Sequence, residues 1–188
     1  MYFYYYHLST ITVAGLIIIS IWLLLFFEIN QQQITIIAAQ TDEPNFVPYS
    51  NPTFGVRIEY PANWGRLDLS FLLNNSADID FYPLDDASGS KHIRIQVETM
   101  QSAQNMTLEQ YSEAKINSIE GQILESNSST LADLPAHEIV FTNAGLQKIQ
   151  VWTIKDDRIF TITYEADEED FQNDLLVAER MIESFQIE

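Results

Sequence analysis

Twenty consecutive residues without a formal charge, Leu8–Phe27, divide this chain before any other feature is weighed. They are dominated by Leu, Ile, Val and Phe. As an α-helix the run is about 30 Å long, the hydrocarbon thickness of a bilayer. Tyr2, Tyr4, Tyr5 and Tyr6 precede it, and their amphipathic rings favour a membrane interface. A cleaved signal would have a shorter apolar core behind basic residues, yet the first Lys or Arg is Arg57. No small-x-small cleavage site follows, since Ala38 and Ala39 each have an isoleucine two places earlier. The expectation is an uncleaved single-pass anchor over residues 1–28. The alternative is a secreted domain whose mature N-terminus lies near Thr41.

Neither flank of the span carries Lys or Arg, so orientation rests on weaker cues. The α-amino group and His7 precede it, while Glu28, Asp42 and Glu43 follow. This favours a C-terminal domain outside the cytoplasm. Residues 29–48 read as a linker, rich in Gln, Thr and Asn and interrupted by Pro44 and Pro48.

A domain over residues 49–188 should follow, long enough to bury roughly two-thirds of its unfolded surface. It is organised around FGVRIEYPANW (Phe54–Trp64). Phe54, Val56, Ile58 and Tyr60 alternate as in a half-buried strand, Pro61 ends it, and Trp64 closes that edge of a core. Further strands are expected at Leu67–Leu72, Ile79–Pro83 and His92–Thr99. A helix from Thr107 to about Glu120 opens on a capping-box spacing, Thr107 with Gln110. Ala136–Thr142, Leu146–Lys155 and Ile159–Tyr164 should form an antiparallel meander. Asn143-Ala144-Gly145 and Asp156-Asp157 are its turns. A last helix is expected from about Glu168 to Phe185. Phe171, Leu175, Ala178, Ile182 and Phe185 form its apolar stripe, and Asp167–Asp170 lie at its positive end.

The chain of 188 residues carries 27 acidic against 9 basic side chains, a net charge of −18. That field repels nucleic acid and anionic lipid alike. There is no cysteine, which removes disulfides, thiolate nucleophiles and Cys-ligated zinc. G-x-S-x-G and Gly-rich phosphate loops are absent. No enzyme activity and no cofactor are expected; a secreted hydrolase is the reading these absences count against. A divalent-metal-binding protein is the alternative function. Its candidate ligands are His92, His137, Glu138, Asp167 and Glu169, with Asp85 and Asp86 nearby in sequence. The acidic run lacks the ligand spacing of an EF-hand loop, and helix capping accounts for it. Asn74, Asn105 and Asn127 each open an N-glycosylation sequon.

YSNPTFGVRIEYPANW (Tyr49–Trp64) resembles the opening signature of the PsbP family. The likeness continues in TLEQY (Thr107–Tyr111), Leu134-Pro135-Ala136, TITYEA (Thr161–Ala166) and MIESFQI (Met181–Ile187). The family includes an extrinsic subunit of the photosynthetic oxygen-evolving complex and membrane-anchored archaeal relatives. The resemblance implies an α+β fold, an α/β/α sandwich with a central antiparallel sheet. It also implies a non-catalytic accessory module with a protein partner. Photosynthetic members contact their partner through a basic N-terminal region. Here an apolar span and an acidic tether stand in its place, and no photosystem role is carried over.

Overall fold

The computed structural model describes residues 44–73, 75–86, 88–100 and 106–188. The expected membrane span lies outside the described residues. Among these, no helix is long and apolar enough to cross a membrane.

The compact unit starts at Pro44, inside the stretch assigned to the linker. Its first strand, β1 (Phe46–Asn51), pairs antiparallel with β2 (Val56–Pro61). Pro48 is tolerated because β1 is an edge strand, where a missing N–H interrupts no ladder. The C-terminal strand β10 (Gln186–Ile187) joins the other side of β2. Glu188 N donates to Gly55 O at 2.8 Å and so fastens the last residue to the first hairpin.

The second sheet has seven strands, β3 (Trp64–Asp68), β4 (Ala77–Pro83), β5 (His92–Thr99), β6 (Gln122–Leu131), β7 (Leu134–Asn143), β8 (Leu146–Lys155) and β9 (Arg158–Asp167). Their order is β3-β4-β5-β9-β8-β7-β6, and every pairing is antiparallel. The meander is present; its first turn is one residue tighter than expected, and its second is the two-residue turn the sequence indicated. Ala144 and Gly145 form a two-residue turn with φ of 55° and 83°, and Asp156–Asp157 another with 50° and 62°. Positive φ at both central residues matches the right-handed twist of the flanking strands. The strand expected over Leu67–Leu72 ends instead at Asp68. A single 3-10 turn, Ser70–Leu72, follows it.

Each face of this sheet has its own cover. On one face Ile79, Phe81, Ile93, Ile95, Val97, Val151, Ile162 and Tyr164 pack against the small sheet and α2 (Leu175–Glu183). On the other, α1 (Leu108–Asn117) covers a smaller cluster of Ile139, Phe141 and Trp152. The layering is therefore helix, seven-stranded sheet, then helix plus small sheet. One helical layer of the expected sandwich is shared with strands.

α1 begins as expected. Thr107 Oγ1 accepts from Gln110 N at 3.3 Å, and Thr107 N donates to Gln110 Oε1 at 3.0 Å. Thr107→Ala should cost about 1 kcal/mol, read as a lower urea midpoint with an unchanged slope. α2 starts later than the apolar stripe suggested. Residues 168–174 are turns, and Phe171 and Phe185, each 2% exposed, reach the core from outside the helix. Asp167 ends β9, so the acidic run does not cap the helix. The N-cap position falls to Asp174, whose carboxylate pairs with Lys91 at 2.5 Å instead of capping.

Candidate functional site

The α1 face of β4, β5, β9 and β8 carries a strip of polar side chains, because alternation sends the apolar ones to the other core. Arg94 Nε lies 2.8 Å from Asp80 Oδ1 and 3.5 Å from Asp78 Oδ1. Its Nη2 donates to Asp80 Oδ2 at 3.3 Å. Burial pushes the Asp78 carboxyl up, and Arg94 only partly offsets this. Further along, Lys148 pairs with Glu165, and Gln150 Nε2 donates to Thr163 Oγ1 at 2.9 Å. These groups answer one another across neighbouring strands, leaving the Arg94 and Lys148 charges compensated.

His92 Nε2 lies 4.0 Å from Glu165 Oε1 on this strip. His137 sits on β7, its ring 5.2 Å from that of Trp152, with Nε2 2.9 Å from Ser126 Oγ. Three strand spacings separate the two histidines, about 14 Å before any offset along the strands. Glu138, next in sequence to His137, faces the opposite side of the sheet. Asp167 accepts from Ser90 Oγ at 2.7 Å, and Glu169 is exposed. Asp86 accepts from Ser88 and from the Lys91 amide, which holds its carboxyl below the ordinary range, while Asp85 is exposed. Among the described residues no three His, Asp or Glu side chains converge as a metal site would require.

Ser126 and His137 are at nucleophile–base distance, a pairing that the sequence did not disclose. It arises because β6, missed by periodicity, lies beside β7. Trp152 stacks on the imidazole, and no carboxylate among the described residues orients its other nitrogen, so the third member of a triad is missing. Asn127, the sequon residue within the described segments, is exposed on β6. Asn74 and Asn105 lie outside the described residues.

A cleft of about 550 Å³ lies between the β6–β7 hairpin and α2. Ile149, Ile182 and Phe185 contribute apolar wall, and Asp133, Glu138, Glu179 and Glu183 contribute carboxylates. Its chemistry favours cationic groups with an aliphatic stem.

A polar anchor joins the two sheets. Asp68 accepts from Tyr49 OH at 2.5 Å, Asn51 Nδ2 at 3.4 Å and Ser70 N at 2.9 Å. Burial pushes the Asp68 carboxyl up, but the hydrogen bonds from Ser70 and Tyr49 outweigh it and hold the group below the usual range. Burial and that same carboxylate push Tyr49 up to about 12. Asp68→Asn should cost about 1 kcal/mol at neutral pH, a modest figure because solvent screens the site. A depressed carboxyl stabilises above its unfolded pKa, so the gap between wild type and variant should close as pH falls through the folded value, below about 3.9. Urea titrations at neutral and acid pH would measure it.

The architecture is an antiparallel sheet clad by helices, with charges on one face that pair across neighbouring strands and no assembled catalytic set among the described residues. The chain belongs to the PsbP-like protein family, whose profile it matches over residues 11–187. Its fold is similar to that of cyanobacterial PsbP (CyanoP) from Synechocystis sp. PCC 6803, with a TM-score of 0.59 at 10% identity, covering 79% of this chain and 96% of that one. A protein from Bacteroides thetaiotaomicron gives a TM-score of 0.51 at 13% identity, covering 75% of this chain and 48% of that one. LpqN from Mycobacterium tuberculosis, described as involved in cell envelope biogenesis, gives 0.46 at 15% identity, covering 78% of this chain and 87% of that one. No curated protein matches the sequence.

Proposed function

We propose that this chain is a membrane-anchored accessory module, held by Leu8–Phe27 with its PsbP-like domain outside the cytoplasm, and docking on a membrane protein complex or cell-envelope partner. Membership of the PsbP-like family carries the reading. It is supported by the paired charges of the sheet face, which lower the desolvation cost of a docked surface relative to isolated charges. The acidic cleft beside α2 supplies a complementary field for a basic partner.

Protease added to intact cells should digest the domain and spare the anchor. A domain digested only after the membrane is opened reverses the proposed orientation. Crosslinking followed by mild-detergent purification should recover a partner in stoichiometric amount. The interaction should weaken with salt if the acidic surface steers it. Recovery of the chain alone at every crosslinker length would count against docking. Direct titration with Mn²⁺ or Ca²⁺ tests the metal alternative, and stoichiometric binding lost on removing His92 or Asp167 would favour it.

A further inference from the structure

Eight large apolar side chains are exposed among the described residues, and six come from one segment: Leu67, Phe71, Leu72, Leu73, Tyr82 and Leu84. All lie on the β3–β4 ribbon, its 3-10 turn or the residues just beyond them. Phe71, Leu72 and Leu84 are 81%, 66% and 70% exposed. Leu67 faces Asp80 and Tyr82 faces Gly65 across the ladder, so Leu67 and Tyr82 are diagonal neighbours on one face. The Tyr82 ring covers Gly65. A Cβ on that glycine would come within 2.5 Å of the ring and 3.0 Å of Leu84 Cδ2. An apolar stripe therefore runs from Leu84 through Tyr82 to Leu67 and ends at the turn, along an edge of the seven-stranded sheet. Such concentration on one rim marks an interaction surface.

Three features select its occupant. Successive side chains of a 3-10 turn splay about 120° apart, so Phe71 and Leu72 diverge. Fluid hydrocarbon accommodates both, whereas a folded partner would need a separate pocket for each. The net charge of −18 opposes a second copy of this chain and an anionic lipid surface. The sixteen residues 28–43, between the apolar run and the compact unit, can span at most about 55 Å, which limits how far the domain can stand from a bilayer that holds the run.

We propose that the 70–73 turn, with the Leu67–Tyr82–Leu84 stripe behind it, dips into the apolar layer of the bilayer that holds the N-terminal span. This rests on the anchored reading above. Asp78 and Asp80, beside the stripe, share the single Arg94 guanidinium, which leaves one net negative charge there and suits a zwitterionic rather than an anionic headgroup layer. Tethering makes insertion intramolecular, so shallow contact suffices.

The test uses the full chain reconstituted in phosphatidylcholine vesicles. Because the chain has no cysteine, Leu72→Cys and Ser128→Cys each give one site for an environment-sensitive fluorophore. Ser128 is on the opposite sheet edge. Emission at 72 should shift to the blue and be lost to lipid spin-labelled near the headgroup, while emission at 128 should persist. Adding Phe71→Ser and Leu73→Ser should restore emission at 72 without releasing the chain. A chain that fails to float with the vesicles overturns both the anchor and the insertion. A floating chain whose label at 72 is no more quenched than that at 128 overturns the insertion alone. A label at 72 that is buried yet untouched by spin-labelled lipid marks a protein contact, which also overturns it.

Discussion

Replacing Trp152 with alanine should remove about 3–5 kcal/mol, a large share of the roughly 5–15 kcal/mol that holds a domain folded. Trp152 is fully buried. It is the largest member of the cluster under α1, with Tyr111 edge-on at 6.4 Å and the tilted His137 ring at 5.2 Å. Its Nε1 donates to Ser112 Oγ at 2.8 Å, joining sheet to helix through a buried polar contact. Trp152→Phe keeps an aromatic filler but loses the donor, and should cost less, about 1–3 kcal/mol. Loss of amide-exchange protection in α1 before β5 and β9 would show that the indole holds this helix. Equal loss throughout would mean that both cores melt together.

Gly121→Ala should be nearly as damaging, about 3 kcal/mol, from a strained backbone combined with a steric clash. Gly121 has φ of +138°, and a Cβ there would lie 2.1 Å from the Thr142 carbonyl oxygen. That oxygen is backbone, so no side chain can swing aside. The glycine lets the chain leaving α1 graze β7 before β6 begins pairing at Gln122–Thr142. Thermal unfolding should show a fall of roughly 10 °C, while Gly145→Ala, with nothing within 4 Å, should lose much less.

The elements legible in the sequence were those with a clean alternation or with turn residues at both ends. β5 runs over His92–Thr99 as alternation named it, and β8 over Leu146–Lys155 as the turn residues at its two ends set it. The Thr107–Gln110 box marked the start of α1 because its partners are three residues apart and need nothing distant. β6 escaped notice because Gln122–Leu131 is an edge strand, exposed at most positions and bulged between Ile123 and Glu125, so no period survives. Phe171 and Phe185 misled for the opposite reason. Both are buried as a helical stripe would bury them, but from the turns flanking a shorter α2.

The site followed the same division. His92 and His137 were visible as residue types, and their positions on two strands with β9 and β8 between them were not. Likewise, the apolar residues of the β3–β4 segment read as strand core until the chain turned at Ser70.

By itself the sequence determined what depends on near neighbours: the alternation of β5, the α1 cap, the two-residue turn at Asp156–Asp157, and family membership. Only the tertiary structure decided which strands became edges, that the two histidines stand apart, and that six apolar side chains remain uncovered on one rim. Those outcomes follow from strand order, a long-range choice made by two cores on opposite faces of one sheet, and no local spacing encodes it.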